Sequence, residues 1–390
     1  MTFHNISYLR SLKTLTMKNI SRRNWLKISG LAGTSTVFAN SGINALPAYF
    51  EGSKQSTQQD QLIRLSSNEN PYGPSQKVQQ AMTEAFTNVC RYPGGYYGEL
   101  VDMLAQKHGV TKDHIILTAG STEGLKMAGI VFGGEGSNIV AADPVFLALQ
   151  NYTEQFGTYV HKVPVTKDMI HDLPAMEQRI TQSTRLVYVC NPNNPTSALQ
   201  PARELEDFCS TVSKRTIVFA DEAYFDYIQD PDYPSMIKLV KKGENVIVAR
   251  TFSKVYGLAG IRIGYLIARP DIISRLGKKT VAGPNVLAIA AAKAALEDEA
   301  FYRFSLEKNK VMLKMTTDTL DELKLDYVPT SCNFVFFHSG RPISELHEAY
   351  RKEGILVGRP FPPMNDWCRV SMGTVEQVEK FCMATKRIFA

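Results

Sequence analysis

No Cys-x-x-Cys pair, no dense basic cluster, no internal repeat and no unbroken apolar run of bilayer-spanning length occurs in these 390 residues. Each absence removes a class of function. The six cysteines, Cys90, Cys190, Cys209, Cys332, Cys368 and Cys382, are scattered and read as buried apolar thiols; a metal site or disulfide framework is the alternative. A net charge of +6 without a concentrated positive face argues against nucleic acid as a partner. Apolar residues at 44% and charged residues at 21% are ordinary for a soluble globular chain. The length suffices for a large core and two domains.

Residues 1–46 stand apart from the rest. "SRRNWLKISGLAG" pairs Arg22 with Arg23, and a mildly apolar run leads on to "STVFANSGINALPA". A charged start, a short apolar stretch and small residues make a cleavable export signal, and the paired arginines make it the twin-arginine type. Gly, Ser and Asn interrupt the run too often for a stable membrane span. Periplasmic export is therefore expected. The alternative is a disordered basic arm on a cytoplasmic protein. Met17 lies five residues before Arg22, so residues 1–16 fit an over-long start. "EGSKQSTQQDQ" is a polar linker inside an N-terminal arm, residues 47–75.

From about Leu62 strands and helices alternate. "GVTKDHIILTAG", "SNIVAADP", "TRLVYVCNPNNP", "KRTIVFADEAY" and "ENVIVARTFSK" each hold a compact β-branched run with little alternation. Such runs fit strands covered on both faces. "STEGLKMAGIVF" and "ARELEDFCSTVSK" read as helices between them. The expected fold is α/β, a large domain over residues 76–284 with a mainly parallel sheet flanked by helices. Residues 285–390 begin with one long helical stretch. "SCNFVFF", "ILVGRP" and "CRVSMGT" then give short strands, a smaller α+β domain.

Ligands of parallel α/β sheets gather beyond the carboxyl ends of the strands. Four stretches fall there: residues 120–123, 191–195, 221–224 and 253–254. Within "TFSKVYGLAGIRIGY", Lys254 follows Ser253, Gly257, Gly260 and Gly264 allow close packing, and Arg262 trails the lysine by eight positions. A lysine amine in a dry setting is a nucleophile whose covalent partner is an aldehyde. Pyridoxal 5′-phosphate asks for that amine, an acid beneath its ring nitrogen and a phosphate cup. Asp221 suits the second role, with a helix cap as the plainer alternative. Ser121 and Thr122 open a helix whose free amides suit phosphate; a capping box over residues 121–124 is the alternative. Arg262 by itself would be a surface ion pair.

"VYVCNPNNPT", "FADEAY" and "TFSKVYGLAGIRIGY", in that order and at these separations, resemble the fold-type I aminotransferases of class I/II. The chain is most similar to the histidinol-phosphate aminotransferases, from "IRLSSNENPYGPS" to its end. The resemblance implies pyridoxal 5′-phosphate as cofactor and Lys254 as the Schiff-base lysine and proton shuttle. It implies Asp221 against the pyridinium, Asn194 and Tyr224 at the ring oxygen, and Phe146 stacked on the ring. Ser121, Thr122, Ser253 and Arg262 would hold the phosphate. Tyr92 in "RYPGG" matches a tyrosine that reaches the phosphate from a neighbouring subunit, implying a homodimer with shared active sites.

By the same resemblance Arg369 in "CRVSMGT" holds the acidic group of the substrate, and Arg359 in "ILVGRPFPP" helps with a substrate phosphate. Asn333 in "SCNFVFF" is expected in the same cleft, and Tyr49 in "LPAYFEG" near a substrate-phosphate position. Both arginines suit bidentate recognition; a structural bridge is the alternative for each. The sequence departs from the family at Ser197, where glycine is usual, and at "GRPFPPMNDW", where prolines and Trp367 are expected to reshape the pocket wall. The activity implied is ping-pong amino transfer between a small-molecule amino donor and a 2-oxo acid such as 2-oxoglutarate. Alternatives are an exported aminotransferase for an aromatic or other L-amino acid, a decarboxylase or lyase with the same cofactor, and a non-catalytic binding protein.

Overall fold

The computed structural model describes residues 62–280 and 283–390. Arg22, Arg23 and Tyr49 lie outside them. Among the described residues no helix is long and apolar enough to cross a membrane.

Residues 63–64 form a short strand β1, Ile63–Arg64. Seven strands build the central sheet: β2 Ile115–Thr118, β3 Asn138–Asp143, β4 Tyr159–Pro164, β5 Thr184–Cys190, β6 Ile217–Asp221, β7 Val246–Thr251 and β8 Gly264–Ala268. Their spatial order is β2-β8-β7-β6-β5-β3-β4. Only β8 runs against the others, pairing antiparallel with both β7 and β2. All residues of β7 are buried, and β3, β5 and β6 nearly so, because helices cover both faces. That double cover explains the unalternating apolar runs. Strands β4 and β8 were not among the strands expected: β4 buries only Val160 and Val163 and keeps no strict alternation, and β8 lies inside the glycine-rich stretch.

A second core gathers residues from both ends of the described chain. Strands β9 Phe334–His338 and β11 Trp367–Ser371 pair antiparallel, while β1 pairs with β10, Ile355–Leu356. Leu65 from the arm packs there with Met312, Phe337, Tyr350 and Phe381. The long helical stretch expected after Pro284 is two helices, Val286–Leu296 and Glu299–Glu322. Asp298 divides them: its carboxylate accepts from the Phe301 amide at 3.1 Å and starts a new helix. The first helix belongs to the large core, while the second packs Tyr302 and Leu306 on that core and carries Met312, Leu313 and Leu320 into the smaller one. Cys90 departs from the cysteine expectation, being exposed, and Cys382 is half-buried.

Candidate active site

With β8 reversed twice over, β2, β3, β5, β6 and β7 all end at one edge of the sheet. Thr118, Asp143, Cys190, Asp221 and Thr251 are their last residues. The loops that leave them border a cavity of about 710 Å³. Ser121, Thr122, Phe146, Asn194, Asp221, Tyr224, Ser253, Lys254, Arg262, Arg359 and Arg369 all line it. Asn333 does not. It lies just behind, donating to the Glu69 carbonyl at 3.3 Å, with its own carbonyl oxygen unpaired. Tyr92 is 97% exposed and also stands away from this cavity.

Among the described residues Lys254 has no carboxylate partner within ion-pair distance. Its Nζ donates to the Asn68 carbonyl at 3.0 Å and lies 5.3 Å from the Tyr224 ring centre. Burial, reinforced by the Arg369 charge, lowers its pKa to about 8. About a tenth of the amine is therefore neutral and nucleophilic near pH 7, far more than an exposed lysine offers. Asp221, more deeply buried than Lys254, also lacks an ion-pairing cation among the described residues. Tyr188 donates to it at 3.1 Å and the Ala223 amide at 3.2 Å. Burial pushes its carboxyl up to about 6 despite both bonds. The helix-cap alternative is not realised, since the next helical turn, Phe225–Tyr227, starts from Tyr224, and a buried acid is left facing the cavity.

The helix Ser121–Phe132 starts from Gly120, and no side chain caps it, so the capping box of residues 121–124 does not form. Gly120 has φ +86°, and a Cβ there would sit 2.4 Å from Nη2 of Arg262. Only glycine lets the arginine lie across the helix start. Among the described residues Arg262 makes no ion pair either. Its Nη1 donates to the Ala259 carbonyl at 2.7 Å and to Ser253 Oγ at 3.4 Å. Free amides, three hydroxyls and a guanidinium converge, the donor set of an anion cup.

Farther along, Arg369 is 7% exposed. Its Nη1 donates to Asn194 Oδ1 at 2.6 Å and its Nη2 to the Ser66 carbonyl at 2.7 Å. Its Nε is buried without an acceptor. Desolvation brings its pKa down to about 10, still fully protonated near neutrality. Arg359 stacks 4.4 Å above the Phe361 ring and donates to the Pro360 carbonyl at 2.7 Å. The pocket-wall expectation fails at Trp367: its ring stacks on Phe336 at 5.0 Å, inside an apolar cluster, and does not reach the cavity.

Two residues went unread in the sequence. Asn68, in left-handed backbone at φ +54°, donates to the Tyr224 hydroxyl at 2.9 Å and fixes Lys254 with its carbonyl. Glu222 forms a buried ion pair with Arg250 at 2.7 Å and accepts from the Met236 amide at 2.7 Å. It ties the loop after Asp221 to β7. Only the position of "DE" at a strand end could have suggested it. For Asn68 no local signal exists.

An unpaired amine and an unpaired acid across one cavity, beside an anion cup, define a coenzyme-dependent enzyme of the α/β class. The class I and II aminotransferase family model matches residues 60–384. The histidinol-phosphate aminotransferase of Moorella thermoacetica is 40% identical over 84% of this chain and 86% of its own length. That of Halalkalibacterium halodurans is 36% identical over 86% and 92%. The crystal structure of the Sinorhizobium meliloti enzyme, in complex with pyridoxal-5′-phosphate, superimposes with a TM-score of 0.79 at 25% identity, covering 88% of this chain and 98% of that one. This chain belongs to the class I and II aminotransferases. It is a transaminase, and its cofactor is pyridoxal 5′-phosphate.

Proposed function

We propose that this aminotransferase takes its amino group from a phosphorylated amine, histidinol phosphate, and passes it to 2-oxoglutarate in ping-pong order. The observation that carries this reading is Arg369: a buried guanidinium with an unpaired Nε, across the cavity from Lys254. A buried donor without an acceptor is costly until an anion arrives. The names of the similar enzymes support the choice of donor.

Bound in this cleft, pyridoxal 5′-phosphate supplies an aldehyde for covalent attachment and an electron-accepting ring. Ser121, Thr122, Ser253 and Arg262 would hold its phosphate, Phe146 would pack on its face, and Asn194 and Tyr224 would bond its ring oxygen. Asp221 would hold a protonated ring nitrogen; that cation brings the carboxyl back down, since an opposite charge favours the ionised form. Nζ of Lys254, tethered beside the donor Cα, would take up the Cα proton and hold it for return on the coenzyme side of the shared nitrogen. Arg369 and Arg359 orient the acidic end of the donor, and Arg369 serves the 2-oxo acid in the second half.

A half-reaction panel tests this. Loaded enzyme is mixed with histidinol phosphate, aromatic, basic and aliphatic amino acids, and the loss of the coenzyme's visible-edge absorbance is followed. Conversion by histidinol phosphate far above the others is the expected result; activity confined to the others overturns the donor, and release of carbon dioxide or ammonia overturns the reaction type.

The active enzyme is further read as a homodimer in which Tyr92 reaches the partner's phosphate cup. Phe86, Val89 and Tyr92 are exposed within one short segment, 57%, 53% and 97%, an apolar surface that suits a subunit contact. A monomeric mass in sedimentation at micromolar concentration would refute it. Export rests on the sequence of residues 1–46 alone, and Arg22→Lys with Arg23→Lys should strand a reporter fusion in the cytoplasm.

A further inference from the structure

A third arginine borders the cavity, and neither the coenzyme nor the donor contacts proposed above use it. Arg351 lies in the last turn of helix Ile343–Lys352, four residues after His347, and both line the cavity. The spacing puts them on one helical face. A basic residue in a last turn ordinarily complements the helix's negative end. Lys352, which does not border the cavity, already does so.

Two observations point to an anion. Among the described residues, Arg351, Arg359 and Arg369 make no ion pair, although other arginines do. Of the carboxylates bordering the cavity, Glu69 is held by Arg64 at 2.5 Å and Asp221 lies at the coenzyme end. Three guanidiniums border one opening: Arg351 and Arg359 reach it from the exposed rim, and Arg369 is buried with a free Nε that the Arg359 charge further disfavours until a counter-charge enters.

The elements carrying them are fixed together. Nε2 of His347 donates to the Gly358 carbonyl at 2.6 Å, pinning the helix to the loop that carries Arg359. Gly358 in turn lies on Arg369: a Cβ there would be 2.7 Å from the Arg369 carbonyl oxygen and 3.3 Å from its Nε. A carboxylate is satisfied by one bidentate guanidinium, whereas a phosphate monoester offers three oxygens and up to two charges.

We propose that Arg351 is a specificity-determining residue which, with Arg359, binds the phosphate monoester of the amino donor at the cavity mouth. This rests on the transamination reading given above. The full-length holoenzyme and its Arg351→Gln and Arg351→Lys variants are compared in single turnovers with histidinol phosphate and with histidinol. The glutamine variant should lower kcat/KM for the ester about 10- to 50-fold, mainly through KM, as expected for losing a charge-assisted contact. Histidinol should change by less than about twofold, and lysine should restore part of the loss. Inorganic phosphate serves as an independent probe by titration calorimetry, its affinity for holoenzyme falling about tenfold or more in Arg351→Gln. Equal losses on both donors, or an unchanged ester rate with unchanged phosphate affinity, overturn the proposal. Arg351-dependent phosphate binding by a wild-type enzyme that converts no ester would retain the mouth site and remove the donor assignment instead.

Discussion

The two ends of the cavity are built differently. At the coenzyme end, each side chain sits within a few residues of a strand of one sheet: Asp221 closes β6, Lys254 follows β7, and Ser121 follows β2. At the substrate end, Arg369 comes from β11, Arg359 from a loop, Arg351 from a helix, and Ser66 and Asn68 from the start of the described chain. Asn194 joins the two, facing Tyr224 with its amide and Arg369 with its carbonyl. The first end is set by one rigid sheet. The second depends on how separate pieces close over it, so donor choice can change there without disturbing the chemistry.

The largest expected effect breaks the first end. Lys254→Ala should reduce transamination at least about 10⁴-fold, removing both the covalent anchor and the proton carrier. It should also abolish the visible-edge absorbance band, while Arg369→Gln leaves that band intact. The latter should instead lower kcat/KM for acidic donors about 100- to 1000-fold, through the loss of a desolvated charge-assisted pair. If Arg369→Gln lost the coenzyme as well, the two ends would not be separable.

Smaller effects sharpen the contrast through stability. In coenzyme-free protein, Asp221 titrates near 6 against 3.8 when unperturbed. The folded form therefore holds a proton that the unfolded chain releases, and wild-type stability falls as pH rises from about 4 to about 6. Asp221→Asn should lack that fall, ending about 1–3 kcal/mol ahead of wild type above pH 6 in denaturant unfolding. Loading with coenzyme should shrink the difference. Smallest is Ser197, held at φ +64° in the buried turn after Asn194. Ser197→Gly should raise stability by about 1 kcal/mol with little change in turnover, because left-handed backbone costs a side chain about that much. A drop in turnover would mean the serine tunes Asn194.

Much of the coenzyme end was legible because its chemistry is local: in four stretches a strand ends in a turn that carries a polar or reactive residue. Ser121, Asn194, Asp221 and Lys254 meet for no other reason than that parallel strands end together. What the alignment of strands does not convey is polarity at a distance. β8 hides in a glycine-rich run, the break at Asp298 lies inside a helical pattern, and Trp367, two positions before Arg369, turns its ring into an apolar cluster.

By itself the order of residues determined an α/β sheet, a lysine and an acid each at a strand end, and a free-amide helix start at Ser121, since each follows from backbone geometry within a short segment. Only the tertiary structure decided that Asn68 holds Lys254 and Tyr224, that Asn333 stands behind the wall, and that Arg351 faces the opening. Those contacts join segments far apart in the chain, and their energies depend on packing and desolvation that exist only once the cores have closed.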